Sequence, residues 1–251
     1  MSLKDMESSF HNLLEETPFL EGRLRIFQPK RGFRFGIDSV LLANFISLKP
    51  GERIAELCAG TGVISFICLL RFPKVKIYLL EIEPLYLKGL FLGISKNGFE
   101  KRAFVLRGNA LKPPFKPGVF DVIFANPPYF KEECGRKSPY ETENIARRET
   151  KFELKTFLKA GSSLLKNGGR FYLIFTAFRL TELIYSLKEA NLEPKVLRLV
   201  HSYPGDEARL VLVKAIKGAK EETRILPPLF IYEGKGKGYS EEVSKFFSYK
   251  G

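Results

Sequence analysis

A mostly parallel β-sheet with helices on both faces is the fold class this sequence predicts, and three observations predict it. Short apolar runs alternate with amphipathic segments from Arg53 to Leu199, as strands do when each crosses over through a helix to the next. The first apolar run ends in a glycine-bearing turn, "CAGTG", where a helix opens. The length, 251 residues, suits one large α/β domain or a domain with small extensions.

In chain order, residues 1–36 read as an extension and 37–251 as the main domain with a short C-terminal extension. The segment "EGRLRIFQPKRGFRFG" sets Arg23, Arg25, Lys30, Arg31 and Arg34 among Phe27, Phe33 and Phe35, against Glu21. Such alternation is able to hold phosphates and stack bases. It also suits a twisted hairpin whose aromatics cover the sheet edge while its charges are solvated. Helices are predicted over Asp38 to Ile46, Val63 to Arg71, Pro84 to Asn97, Phe152 to Leu165 and Leu180 to Ala190, with Gly98 and Gly168 as stops. Seven strands are predicted: Arg53 to Leu57, Val75 to Leu80, Ala103 to Arg107, Phe120 to Ala125, Arg170 to Phe175, Lys195 to Val200 and Arg209 to Lys214. The last two are joined by "HSYPGDEA", too short for a crossover helix, so they run antiparallel to one another.

Composition excludes several classes. Val63 to Leu70 is the longest nearly unbroken apolar stretch, far too short to span a bilayer, and Met1 to Phe10 lacks a basic start followed by an apolar signal core. A soluble, cytoplasmic protein is expected. Cys58, Cys68 and Cys134 form no CxxC pair and stand far from His11 and His201 in sequence, so neither a disulfide framework nor a metal site is expected. A formal charge of +13 favours a polyanionic partner. A heat-adapted surface rich in Lys and Glu would give the same balance, and the single glutamine, Gln28, with no Trp fits that alternative.

Four strand ends carry the candidate chemistry. In "IAELCAGTGVISF", Gly60 and Gly62 let the backbone approach a ligand at the positive end of a helix. NAD, FAD, phosphates and S-adenosylmethionine all use such turns, but the third glycine of a dinucleotide fingerprint and the GK[ST] of a P-loop are missing. Glu81 closes the apolar run "IYLL" and is placed to accept hydrogen bonds from a ribose diol, with Glu83 as the spare. Asn109 follows the third strand, where its amide is able to bond an adenine edge. Taken singly, each also reads as a helix cap or a solvated strand end.

The fourth strand end is "NPPYF". Asn126 precedes a proline and is held extended, so it projects from the strand tip. Pro127 and Pro128 have no N–H, and their carbonyls suit a ligand that only donates. That ligand is a planar NH₂: Asn126 and Pro127 accept its two hydrogens and Tyr129 stacks on the attached ring. A purine's exocyclic amine is a poor nucleophile because its lone pair is delocalised. Two directed acceptors draw the lone pair toward an in-line methyl donor, whose neutral thioether leaves without an acid.

With these residues placed, the chain resembles the class I S-adenosylmethionine-dependent methyltransferases of the N6-adenine type. It is most similar to the bacterial family that methylates the adenine 3′ of the anticodon in a valine tRNA. The resemblance is carried by "RFGIDSVLLANF", "ELCAGTG", "EIEP", "NPPYF", "ARRE" and a tail reading "LVLVKAIKG", "PPLFIY" and "YSEEV". It implies a Rossmann-like, seven-stranded, mostly parallel sheet with an antiparallel last strand. It also implies S-adenosylmethionine as cofactor, S-adenosylhomocysteine as product, and no metal. Cofactor contacts are implied at Glu56, Cys58, Gly60, Gly62, Glu81, Ile82, Asn109, Ala110 and Asn126, with Asp38 helping to hold the methionine end. Asn126, Pro127, Pro128 and Tyr129 form the catalytic box. Glu56 and Asn109 stand where many relatives have Asp; both keep an acceptor oxygen, so cofactor affinity should change without being lost.

The polar stretch "KEECGRKSPYETENIAR" is long for a compact domain. It reads as a lid over a flipped nucleotide, with Arg147 and Arg148 facing phosphate, or as a helix lead-in with solvated charges. Lys30, Arg31 and Arg34 are the other candidate contacts to tRNA or other structured RNA. "EGKGKGY" reads as a phosphate contact or as a plain solvated turn. Three alternatives to the tRNA reading stay open: adenine methylation in rRNA or DNA, glutamine-N5 methylation of a release factor, and a binding protein that keeps the cofactor pocket without turnover. Enzymes of the glutamine class carry a helical N-terminal domain, for which Met1 to Gly36 is too short and too basic.

Overall fold

The computed structural model describes residues 13–32, 34–127 and 153–248. Their elements are β1 (Leu14–Phe19), β2 (Leu24–Pro29), α1 (Ile37–Phe45), β3 (Arg53–Leu57), α2 (Val63–Arg71), β4 (Lys76–Glu81), α3 (Pro84–Lys96), β5 (Ala103–Arg107) and β6 (Phe120–Ala125). After these come α4 (Leu154–Leu164), β7 (Leu165–Thr176), α5 (Leu180–Glu189), β8 (Leu192–His201), β9 (Ala208–Lys217), β10 (Arg224–Ile225), β11 (Leu229–Phe230) and α6 (Glu241–Lys245). β3, β5, β6 and α2 have the expected bounds, and the remaining predicted elements differ mainly at their ends.

The main sheet has the order β10-β8-β9-β7-β6-β3-β4-β5, with β11 also paired to β8. β3, β4, β5, β6 and β7 are mutually parallel. β9 runs antiparallel to both β7 and β8, so β8 is again parallel to β7. The sheet therefore has nine strands where the sequence predicted seven. β10 and β11, two residues each, escape a reading based on alternation because they are too short to show any. They pair parallel to β8 and are contributed by the tail.

Alternation of side chains along the central strands divides the core in two, as period-two geometry requires. Ile54, Val122, Phe124, Tyr172 and Leu212 face α1, α2 and α3, where they meet Val40, Leu41, Phe66, Ile67 and Leu90. Ala55, Leu57, Ile123, Ala125, Phe171 and Val213 face α4 and α5, where they meet Phe157, Leu158, Leu183 and Leu187. Among the described residues no helix is long and apolar enough to cross a membrane.

The basic N-terminal segment forms an antiparallel hairpin, Leu14–Phe19 with Leu24–Pro29. One of the two readings of this segment was a hairpin whose aromatics cover the sheet edge; the hairpin is present, but it lies on α3. Leu24 and Ile26 are fully buried and join the core on the α1–α3 side. Gly89 of α3 allows this approach, since a Cβ on it would lie 2.8 Å from the carbonyl oxygen of Phe27, while Gly93, one turn on, makes room for the Phe66 ring of α2, which its Cβ would meet at 2.6 Å. Asn97 locks the contact with both ends of its amide, accepting from Arg25 N at 2.9 Å and donating to Arg25 O at 2.8 Å.

Candidate active site

The chain runs outward from β3 through β4 to β5, then returns to the other side of β3 at β6. The carboxyl ends on either side of this reversal form the crevice where open α/β sheets bind ligands. Register brings the four candidate strand ends to that edge: Leu57 pairs with Leu80 and Ala125, and Glu81 pairs with Arg107.

The loop after β3 is shaped by three consecutive alternate positions in the left-handed region: Cys58 at φ 57, Gly60 at φ 54 and Gly62 at φ 74. A Cβ on Gly60 would meet nothing within 4 Å, so this glycine borders open space, whereas one on Gly62 would collide with Leu90 and reach Phe66 Cζ at 3.2 Å. Gly60 thus serves approach from outside, and Gly62 serves the packing of α2 on α3. Cys58 holds a conformation that glycine adopts at lower cost. Burial first, and then the Glu81 and Glu56 carboxylates, raise its thiol pKa, so it stays a protonated packing group.

Glu56 is 1% exposed, and its Oε2 accepts from the amide of Ser65 at 3.2 Å and from the Ser65 hydroxyl. Ser65 lies in the first turn of α2, so the carboxyl satisfies a helix-start donor. Burial pushes the Glu56 pKa up to about 8 against the lowering effect of Ser65. Ser65 was not singled out from sequence; its hydroxyl within the run "VISF" has no local signature of this contact.

Glu81 ends β4 and organises the loop from the other side. Its Oε2 accepts from Gly60 N at 2.7 Å, while Oε1 accepts from Ile82 N at 2.7 Å and Glu83 N at 2.9 Å. Ile82 next to it is 47% exposed, an unusual position for a large apolar side chain at a strand tip. Asn109 is exposed and closes its own turn, accepting from Leu111 N at 2.9 Å, and Ala110 is buried beside it. Glu83, the spare acid, precedes Pro84 at the start of α3.

Asn126 and Asp38, 88 residues apart, meet across the crevice. Asn126 Nδ2 donates to Asp38 Oδ2 at 2.8 Å and to Ser39 Oγ at 3.3 Å, and Asp38 Oδ1 accepts from Ser39 N at 2.9 Å. Only the NH₂ end of a carboxamide can donate to a carboxylate, so Asp38 dictates which end of Asn126 it receives. Ser39 was missed from sequence. Its neighbour Asp38 was the available signal, since the first turn of α1 brings the two side by side.

Pro127 is buried directly after Asn126. Pro128, Tyr129, Arg147, Arg148, Cys134 and the stretch read as a lid lie outside the described residues. Of the basic candidates, Lys30 and Arg31 are exposed at the end of the hairpin, and Arg34 pairs with Glu15 on the approach to α1.

Residues 34–191 match the methyltransferase small domain. The chain belongs to that family. Among curated relatives, the tRNA1(Val) (adenine(37)-N6)-methyltransferase of Porphyromonas gingivalis is 28% identical over 76% of this chain and 77% of its own length. The protein of the same description from Pedobacter heparinus is 26% identical over 85% of this chain and 89% of its own. Among solved structures, a predicted O-methyltransferase from Agrobacterium tumefaciens superposes with a TM-score of 0.69, covering 84% of this chain and 98% of that one at 21% identity. That likeness establishes the class I methyltransferase fold, in agreement with the strand order above.

Proposed function

We propose that this protein transfers a methyl group from S-adenosylmethionine to the exocyclic N6 amine of an adenine in tRNA, at position 37 beside the anticodon. The observation that carries the reading is the Asn126–Asp38 pair: a carboxamide at a strand tip whose donor end is already engaged, so that its oxygen is the end for a substrate N–H. The shared description of the curated relatives supports the substrate.

The residues fit the cofactor. Gly60 borders open space, Glu81 keeps one acceptor position on Oε2 for a ribose hydroxyl beside the three backbone amides it already holds, exposed Ile82 offers an apolar face for an adenine, and Asn109 offers an amide to that ring's edge. Glu56 keeps the loop in shape from beneath through Ser65. When bound, the sulfonium supplies an electrophilic methyl with a neutral thioether leaving group. Asn126 Oδ1 and the Pro127 carbonyl accept the two amine hydrogens, turning the lone pair out of conjugation and toward that methyl. Positive charge developing on the amine nitrogen during methylation would be stabilised by the same two oxygens, and one of its protons would then pass to solvent to leave the neutral methylated amine. Asp38 keeps the Asn126 amide from rotating its donors into the site.

The test is parallel incubation of the protein and isotopically labelled cofactor with bulk tRNA and with a glutamine-bearing release-factor peptide, then mass spectrometry of nucleosides and peptide and mapping of the label. Labelled N6-methyladenosine at position 37 is expected. Label in a release-factor peptide instead of RNA would transfer the reading to the glutamine-methylating class.

A further inference from the structure

The C-terminal turn between Ile231 and Ser240 has a built aromatic surface that the proposed chemistry does not use. Tyr232 and Tyr239 stack at 5.4 Å with an interplanar angle of 9°, and Tyr239 stacks in turn on Phe247 at 5.1 Å and 12°. Phe247 meets Phe19 of the hairpin edge-on at 6.0 Å, and Phe19 meets Phe35 at 5.1 Å. The series thus ends three residues before Asp38. Its inner members are partly buried, whereas Tyr232 is 36% and Tyr239 40% exposed. Tyr232 is the terminal ring of the stack among the described residues.

The turn itself is "EGKGKG". Lys235 and Lys237 are exposed, and neither has an ion pair among the described residues. Glu233 is the acid of the turn, while Glu241 and Glu242 just beyond it are taken up by Lys245 at 2.7 Å and Arg198 at 2.6 Å. The scaffold is firmly placed. Ile231 N and Tyr232 N donate to His201 O at 3.0 Å and Ser202 O at 2.8 Å, Ser240 N donates back to Ile231 O at 2.9 Å, and Tyr232 bridges to Tyr239.

Its position matters most. Because β8 is parallel to β6, the end of β8 that holds Tyr232 lies at the sheet edge that carries Asn126. Three strand spacings separate β8 from β6, on the order of 15 Å. That span suits a strand of nucleic acid whose target base enters at Asn126 while its neighbours continue along the edge. We infer that the Tyr232–Tyr239 turn is a second RNA-docking site, where an unpaired base adds to the stack on Tyr232 and Lys235 and Lys237 contact the flanking phosphates. The inference rests on the RNA reading above and adds where the remainder of the substrate lies.

The test is binding of unmodified tRNA by the full chain across a salt series, with cofactor binding and thermal unfolding as controls. Base–aromatic stacking is worth about 1–3 kcal/mol, so Tyr232→Ala should weaken tRNA binding by about 5- to 150-fold, whereas Tyr232→Phe should retain it. Lys235→Ala/Lys237→Ala should lower the slope of log K against log salt by about 1.5, the loss expected for two phosphates. Unchanged affinity and slope in both variants would overturn the site, as would equal losses in Tyr232→Phe and Tyr232→Ala. Binding is read without turnover, so a wild type that binds tRNA through this turn but forms no N6-methyladenosine refutes the proposed reaction and not the docking site.

Discussion

At the residue scale, the engaged donor end of Asn126 separates two functions that a mutation can resolve. Asn126→Ala removes an acceptor needed most in the transition state, so kcat should fall about a hundredfold or more with the cofactor dissociation constant nearly intact. Single-turnover methylation and cofactor titration check the two halves. Equal loss in both would show that the side chain holds cofactor instead. Glu56 gives a prediction of a different kind. Its folded pKa, about 8, exceeds the ordinary glutamate value of about 4.3, so between these values the folded chain holds a proton that the unfolded chain has released. Stability must then fall as pH rises through that window and level off above it. Glu56→Gln keeps the acceptor toward Ser65 and removes the ionisation. Melting temperatures from pH 5 to 9 should decline less for the variant than for wild type; parallel curves would show that Glu56 does not titrate there. These pairings were only half legible in the sequence. Asn126, Glu81 and Asp38 stood out because each closes or opens an element, whereas Ser39 and Ser65 acquire their roles from partners brought close by folding.

At the element scale, legibility followed length and periodicity. β3, α2, β5 and β6 could be bounded because their apolar runs end at sharp polar or glycine positions, and the antiparallel β8–β9 pair followed from a connection too short to cross over. The seat of the hairpin was not legible. In a sequence, Gly89 and Gly93 look like weak helix formers, but in the fold they form the flat face of α3 that admits Phe27 O and the Phe66 ring. A methyl group on Gly89 has backbone in its way, which cannot rotate aside as a side chain can. Gly89→Ala should therefore destabilise by about 1–3 kcal/mol despite its better helix propensity, read as a lower denaturation midpoint. A stabilised variant would show that β2 can lift from the helix without cost.

At the scale of the whole molecule, the +13 charge becomes informative only through its placement. Part of the basic surface is already paired: Arg170 with Glu52, Arg198 with Glu242, Lys188 with Glu193 and Glu221. Lys30 and Arg31 have no such ion pair among the described residues, and Arg34 is held by Glu15 in an exposed pair of the kind that contributes about 0–1 kcal/mol. All three lie between the hairpin and α1, on the chain that leads to Asp38. A polyanion entering the crevice would meet them near its target base, with the Tyr232 turn beyond. Arg31→Ala/Arg34→Ala should consequently weaken tRNA binding and reduce its salt slope by about 1.5. Combined with Lys235→Ala/Lys237→Ala, the slope reductions should add, since the two patches share no ion pair among the described residues and additivity is the rule for independent sites. If the combined variant loses no more slope than either pair alone, the two patches do not hold one RNA at the same time. If the arginine pair alone leaves the slope unchanged, those side chains belong to a solvated surface, and the path of the substrate must run from Asn126 toward β8 without them.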